Sequence, residues 1–119
     1  MPEVRSVGRM DSVTEALEQA EVLLKAGRGA EAEAIAGQAM ESDPTSARAW
    51  YLIGVARHQQ KRAEDALAAM ERALALDSEL DGARQAGATL LLGLKRPRAA
   101  LALIEEFARR RPGDVKAMT

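Results

Sequence analysis

Several residue types are rare or missing in this chain of 119 residues, and each absence excludes a class of function. There is no cysteine, which excludes disulfides and thiolate metal sites. His58 is the single histidine, so a multi-histidine metal site is excluded, and we expect no cofactor and no catalytic activity. Aromatic residues make up 3% of the chain, so a core has to be built from Ala, Leu, Ile and Met.

Long apolar runs are also missing. No stretch approaches the roughly 18 apolar residues that cross a membrane, and the start of the chain, Met1 to Met10, lacks the apolar segment of a secretory signal. We therefore expect a cytoplasmic protein without membrane contact. The alanine-rich composition and short length are typical of a bacterial chain.

The charges are balanced overall but unevenly distributed. The net charge is −1, yet residues 1–46 carry −5, residues 47–80 carry 0 and residues 81–119 carry +4. Two interpretations stay open: plain solvated helix surface, or an acidic head that meets the basic tail of another copy. The cluster Arg109-Arg110-Arg111 has no interleaved aromatic residues for base stacking, so we expect no nucleic-acid binding.

A fixed repeat period of about 34 residues runs through most of the chain. Four sets of positions keep the same interval: Pro44, Ser78 and Pro112; Ala20, Gly54 and Ala88; Ala32, Ala66 and Ala100; and Gly27, Lys61 and Lys95. A fixed period of this length predicts short units that stack, because one unit cannot bury its apolar face alone.

The middle copy resembles a tetratricopeptide repeat (TPR), whose pattern is W-x₂-L-G-x₂-Y…A-x₃-F…P. Trp50, Gly54 and Ala66 match it, Ile53 and Met70 are conservative replacements, and Arg57 and Ser78 depart from it. The resemblance implies an all-α, right-handed superhelical solenoid of three helix-turn-helix repeats, at 13–46, 47–80 and 81–114. Residues 1–12 are expected to be a poorly ordered extension, and residues 113–119 a tail or the start of a truncated fourth repeat.

Each copy predicts a pair of helices. The first pair covers about 12–26 and 30–41, the second about 46–60 and 63–77, and the third about 79–94 and 98–110. Ser12 and Glu15 have the spacing of a capping box at the start of the first helix. Gly27 and Gly29 end that helix, and Pro44 ends the second.

The resemblance also implies a peptide-binding groove, because the first helices of TPR arrays line the concave face. Helical spacing places these residues in it: Leu17, Glu21, Leu24, Arg48, Tyr51, Val55, His58, Gln85, Thr89 and Leu92. The apolar members favour an apolar or amphipathic partner segment, unless they only pack against neighbouring helices. The family's carboxylate clamp for chaperone tails needs Lys, Asn and Arg, whereas the corresponding places here hold Leu17, Glu21, Leu52, Gln85 and Thr89. We therefore expect no such clamp.

The last repeat differs from the others at one packing position. Phe107 stands where the earlier copies have Ala39 and Ala73. Together with Leu103 and Ile104 it predicts an apolar end that pairs in a homodimer, or that another part of a larger protein covers.

Three functional interpretations follow. The leading one is a non-catalytic adaptor or scaffold that binds a peptide or amphipathic segment of a partner protein. The second is a helical adaptor fragment of a larger protein that has an enzymatic part. The third is a self-assembling structural protein.

Overall fold

The computed structural model describes the backbone of residues 2–110 and the side chains of residues 12–106. This range contains six α-helices and no strand. The helices are α1 (Pro2–Lys25), α2 (Gly29–Ser42), α3 (Ala47–Gln59), α4 (Ala63–Leu76), α5 (Asp81–Gly93) and α6 (Pro97–Arg110). The predicted all-α fold is confirmed.

The helices form three hairpins that stack in sequence order. Each helix packs against the next one along the chain, and α3 also contacts α1 on one side and α5 on the other. The first helices of the three hairpins therefore lie side by side, which is the arrangement of a helical solenoid. The molecule is elongated, with dimensions of 53 × 33 × 21 Å.

The turn inside each hairpin has the same backbone geometry, whichever residue occupies it. Gly27, Lys61 and Lys95 are equivalent positions of the three repeats and have φ angles of 78°, 63° and 63°. Glycine adopts this left-handed conformation readily, whereas lysine adopts it at a cost. The stacking of the repeats thus imposes the turn even where the local sequence disfavours it.

Alanine and glycine let the helices approach closely. Ala20, Ala32, Ala66 and Ala88 are all buried. A Cβ at Gly54 would lie 2.8 Å from Met70 Cε, and a Cβ at Gly29 would lie 2.8 Å from the backbone oxygen of Ala56. Two buried clusters result, and Trp50, Tyr51 and Val55 pack against both of them.

The first and second hairpins are joined by a polar network around Glu33 of α2. Its carboxylate accepts hydrogen bonds from Arg57 Nε at 3.0 Å, Gln60 Nε2 at 2.8 Å and Arg62 Nη1 at 2.8 Å. Burial alone would raise the pKa of Glu33, but the hydrogen bonds from Gln60, Arg57 and Arg62 outweigh it and hold that pKa below its ordinary value.

The second and third hairpins meet through apolar residues at the same register. Leu67, Leu91 and Leu94 lie one repeat after Glu33, Arg57 and Gln60, and they belong to one hydrophobic cluster. Arg96 adds a 2.8 Å ion pair with Glu64. The same packing geometry between neighbouring hairpins therefore occurs with polar contacts in one place and apolar contacts in the other.

The largest difference from the expected helix ends is at the start of α1. α1 begins at Pro2, so Ser12 lies inside a helix and the predicted capping box there is wrong. A serine N-cap occurs instead at the start of α3, where Ser46 Oγ accepts from Ala49 N at 3.1 Å. The side chains of Phe107 and Arg109-Arg110-Arg111, and the predicted tail 113–119, lie outside the described residues.

Candidate functional site: the first-helix face

The sides of α1, α3 and α5 that carry the predicted groove residues form one continuous surface, which we call the first-helix face. Two side-chain contacts show the continuity. Arg48 Nη2 of α3 lies 2.7 Å from Glu21 Oε2 of α1. The ring of Tyr51 of α3 lies over Gly82 of α5, where a Cβ would be 3.3 Å from Tyr51 Cζ.

Two of the predicted groove residues lie beneath this surface. Leu17 and Leu24 are only 4% and 8% exposed and belong to the core cluster of the first two hairpins. Tyr51 and Val55 are half-buried and pack against both clusters. These residues support the floor of the face, so its apolar area is smaller than the sequence suggested.

The remaining predicted residues present the accessible chemistry. Leu92 is 58% exposed, the largest apolar exposure on this face. His58, Gln85 and Thr89 are exposed as well, and Thr89 Oγ1 donates to the Gln85 backbone oxygen at 3.0 Å. The face thus combines an apolar point at Leu92 with hydroxyl, amide and imidazole groups and the Arg48–Glu21 ion pair.

Sequence reasoning missed two residues of the first-helix face. Gly82 leaves the space that the Tyr51 ring occupies, and its position corresponds to Thr14 and Arg48 in the earlier copies. Gln59 Nε2 donates to the backbone oxygen of Leu24 at 2.7 Å and so joins α3 to the end of α1. The repeat register contains a signal for Gly82, because a glycine replaces a longer side chain there.

The predicted self-association residues lie in different surroundings. Leu103 is half-buried and points inward, since a Cβ at Gly87 would lie 3.1 Å from Leu103 Cδ2. Ile104 is 44% exposed. The apolar residue of α6 that the sequence analysis did not select is Leu101, which is 58% exposed.

No cluster of three or more His, Cys, Asp or Glu side chains that could hold a metal ion occurs among the side chains of residues 12–106. None of the helices in the described part of the chain is long and apolar enough to cross a membrane.

The sequence profile described as Tetratricopeptide repeat matches residues 17–81, more than half of the chain. The chain belongs to the tetratricopeptide-repeat family. No curated protein sequence matches this TPR chain.

Solved structures similar to this TPR chain share its fold. MamA from Desulfovibrio magneticus RS-1 (residues 41 to the end) has a TM-score of 0.79 and 22% identity, over 88% of this chain and 59% of that one. The chain therefore spans about three fifths of the MamA structure. The second TPR of Spaghetti (RPAP3), bound to the HSP90 peptide SRMEEVD, has a TM-score of 0.75 and 16% identity, over 82% of this chain and 93% of that one.

A third similar structure is the type III secretion translocator chaperone SycD from Yersinia enterocolitica, in an alternative dimer. Its TM-score is 0.76 and its identity 16%, over 91% of this chain and 84% of that one. At these identities the likeness establishes the fold.

Proposed function

We propose that the chain is a non-catalytic protein-interaction module, and that its first-helix face binds an amphipathic segment of a partner protein. The observation that carries the proposal is the composition of this face. A large exposed apolar side chain, Leu92, accompanies exposed hydrogen-bonding groups on this face, to which the half-buried Tyr51 and Val55 also belong. An apolar side chain of the partner would cover Leu92, and its polar groups would meet His58, Gln85 and Thr89.

The structural neighbours support the coarser part of this proposal. The RPAP3 domain carries a bound peptide, so a TPR unit of similar size can hold a peptide segment. The ligand proposed here differs from that acidic chaperone tail, because Glu21 is paired with Arg48 and no free lysine or arginine cluster lies among the described side chains of the first-helix face.

A peptide display library tests the proposal with no partner specified in advance. Peptides selected on the full chain should be amphipathic, and the variant Leu92→Glu should weaken their binding at least about tenfold, since a carboxylate would replace the exposed apolar contact. The matched control is Leu76→Glu on α4, where the leucine is 43% exposed away from this face. Both variants should keep the helical circular-dichroism spectrum.

Two outcomes contradict the proposal. One is a library from which no peptide binds the wild-type chain in preference to a chain heated to unfold it. The other is a set of selected peptides that tolerate Leu92→Glu and lose binding with Leu76→Glu, which would move the binding surface to the opposite side of the solenoid.

A further inference from the structure

A groove of about 580 Å³ lies between α1 and α2 at the N-terminal end of the stack, away from the first-helix face. We call it the N-terminal socket. Its lining residues are Glu15, Glu18, Gln19, Val22, Leu23, Glu31 and Ile35.

The socket repeats a groove that a neighbouring helix closes on one side elsewhere in the same chain. A groove of about 360 Å³ beside the third hairpin is lined by Gly87, Leu91, Ala99 and Leu103. These residues lie two repeats after Gln19, Leu23, Glu31 and Ile35 of the socket. The opposite wall of this second groove is α4, through Leu67, Met70, Glu71 and Leu74. Among the described side chains, none covers the socket as α4 covers the groove beside the third hairpin. The socket is therefore one half of a joint between two repeats.

Val22 shows the consequence for exposure. Its counterparts in the next two repeats, Ala56 and Leu90, are 0% and 4% exposed, whereas Val22 is 66% exposed. A residue that the repeat register assigns to a buried joint is thus accessible at the socket.

The complementary surface lies at the other end of the stack. Leu101 and Ile104 of α6 lie one repeat after Leu67 and Met70 of α4. The α4 residues are 6% and 1% exposed because the third hairpin covers them, while Leu101 and Ile104 are 58% and 44% exposed. We call these two residues the α6 plug.

We propose that the α6 plug of one copy docks into the N-terminal socket of a second copy, so that the solenoid continues from chain to chain. In this arrangement Leu101 faces the partner copy's Leu23 as Leu67 faces Leu91 within one chain. The contact between the two copies is apolar, like the contact between the second and third hairpins. This explains why the exposed residues at both ends are aliphatic.

The charges of the two ends favour the same pairing. Glu15 and Glu18 line the socket, at positions where the internal joints have Ala49 with Leu52 and Ala83 with Ala86. Residues 81–119 of the same sequence carry a net charge of +4. The acidic lining of the socket and the basic C-terminal part of the sequence therefore have opposite signs, which favours contact between the two ends.

One pair of like charges opposes this arrangement. Glu64 binds Arg96 across the internal joint, and the corresponding residues across the new joint are Arg98 and Arg28. However, Arg28 is already paired with Glu31 at 2.6 Å, and Glu31 lines the socket. Arg98 therefore approaches a neutralised pair and not an isolated cation.

A head-to-tail joint uses two different surfaces, so it produces open chains that lengthen with concentration. Light scattering on the full wild-type chain should show an average mass that rises past that of a dimer. Leu101→Glu on the plug and Val22→Glu in the socket should each remain near the monomer mass of 12.8 kDa. Both substitutions replace exposed residues, so circular dichroism should show an unchanged fold.

Mixing the two variants decides the geometry. The Leu101→Glu chain retains an intact socket and the Val22→Glu chain retains an intact plug, so an equimolar mixture should form a dimer of twice the monomer mass and stop there. Leu92→Glu is the control for the first-helix face and should assemble as the wild type does, which keeps this test independent of the proposed peptide binding.

Three results overturn the proposal. A wild-type chain that stays a monomer at every concentration would mean that the plug does not dock into the socket. A Val22→Glu chain that still dimerises would mean that α6 pairs with α6 in a symmetric dimer. Assembly lost with Leu92→Glu would mean that the plug docks on the first-helix face.

Discussion

Individual glycines in α2 have opposite consequences for stability because their surroundings differ. Gly29, at the start of the helix, faces the backbone oxygen of Ala56, and an added Cβ would come within 2.8 Å of it. Gly37, in the middle of the same helix, has no atom within 4 Å of such a Cβ. Replacement of glycine by alanine therefore tests close packing at Gly29 and backbone freedom at Gly37.

Gly29→Ala should lower the free energy of unfolding by about 1–3 kcal/mol, because a backbone oxygen cannot move aside as a flexible side chain can. Gly37→Ala should raise it by about 0.5–1 kcal/mol, because alanine restricts the unfolded chain and favours the helix. Urea unfolding of both variants beside the wild type measures the difference. Two changes of the same sign would show that α2 does not approach α3 as described.

At this scale the sequence predicted the residues whose role is set by their own repeat position. Trp50 and Met70 occupy positions of the repeat pattern, and both pack in the buried clusters. The burial of Leu17 and the exposure of Leu101 were not predicted, since each depends on which helix covers the residue. A repeat position predicts where a side chain points, and a neighbouring repeat decides whether it meets protein or solvent.

At the scale of elements, two joints with the same geometry use different chemistry. α2 meets the second hairpin through the carboxylate of Glu33, which three donors contact. α4 meets the third hairpin through Leu67 in the same register. The polar joint depends on the ionisation of Glu33, and the apolar joint has no such group at this position.

Acid should therefore weaken the first joint selectively. The pKa of Glu33 is lower in the folded chain than in the unfolded chain, so the unfolded state binds its proton first as the pH falls. The stabilisation is complete above the unfolded pKa of about 4.3 and is lost as the pH drops through the folded value.

Glu33→Gln should lower the free energy of unfolding by about 1–3 kcal/mol at pH 7, because charge-assisted hydrogen bonds are lost. It should also remove part of the decline in stability between about pH 5 and pH 3. Thermal unfolding of both chains across this range measures the effect, with Glu31→Gln on the exposed surface as control. Parallel pH profiles for wild type and Glu33→Gln would contradict the assignment.

Helix ends were predicted well where a local signal marks them. The starts of α3 and α5, at Ala47 and Asp81, lie one or two residues from the predicted ones because a turn with Pro44 or Ser78 precedes each. The start of α1 was wrong because Ser12 and Glu15 match a capping box, yet the helix continues through them from Pro2. An N-cap signal marks the start of a helix only where the preceding backbone is not helical.

At the scale of the whole molecule, the chain behaves as a short rod. Its radius of gyration is 15.9 Å, larger than the roughly 13.5 Å of a compact chain of this length. α3 is covered by helices on both sides, whereas α6 packs only against α5 among the described elements. In such a stack the local stability depends on how many neighbouring repeats cover an element.

Hydrogen exchange should reproduce this order and also report on assembly. The amides of α3 should exchange slowest, and those of α6 fastest in dilute solution, since an end helix opens without disturbing the rest of the stack. At high protein concentration the exchange of α6 and α1 should slow, because each gains a neighbour in the head-to-tail joint, while that of α3 should hardly change. Leu101→Glu should abolish the concentration dependence at both ends. Slowing confined to α6 would contradict the joint, since the α6 plug and the N-terminal socket must be covered together.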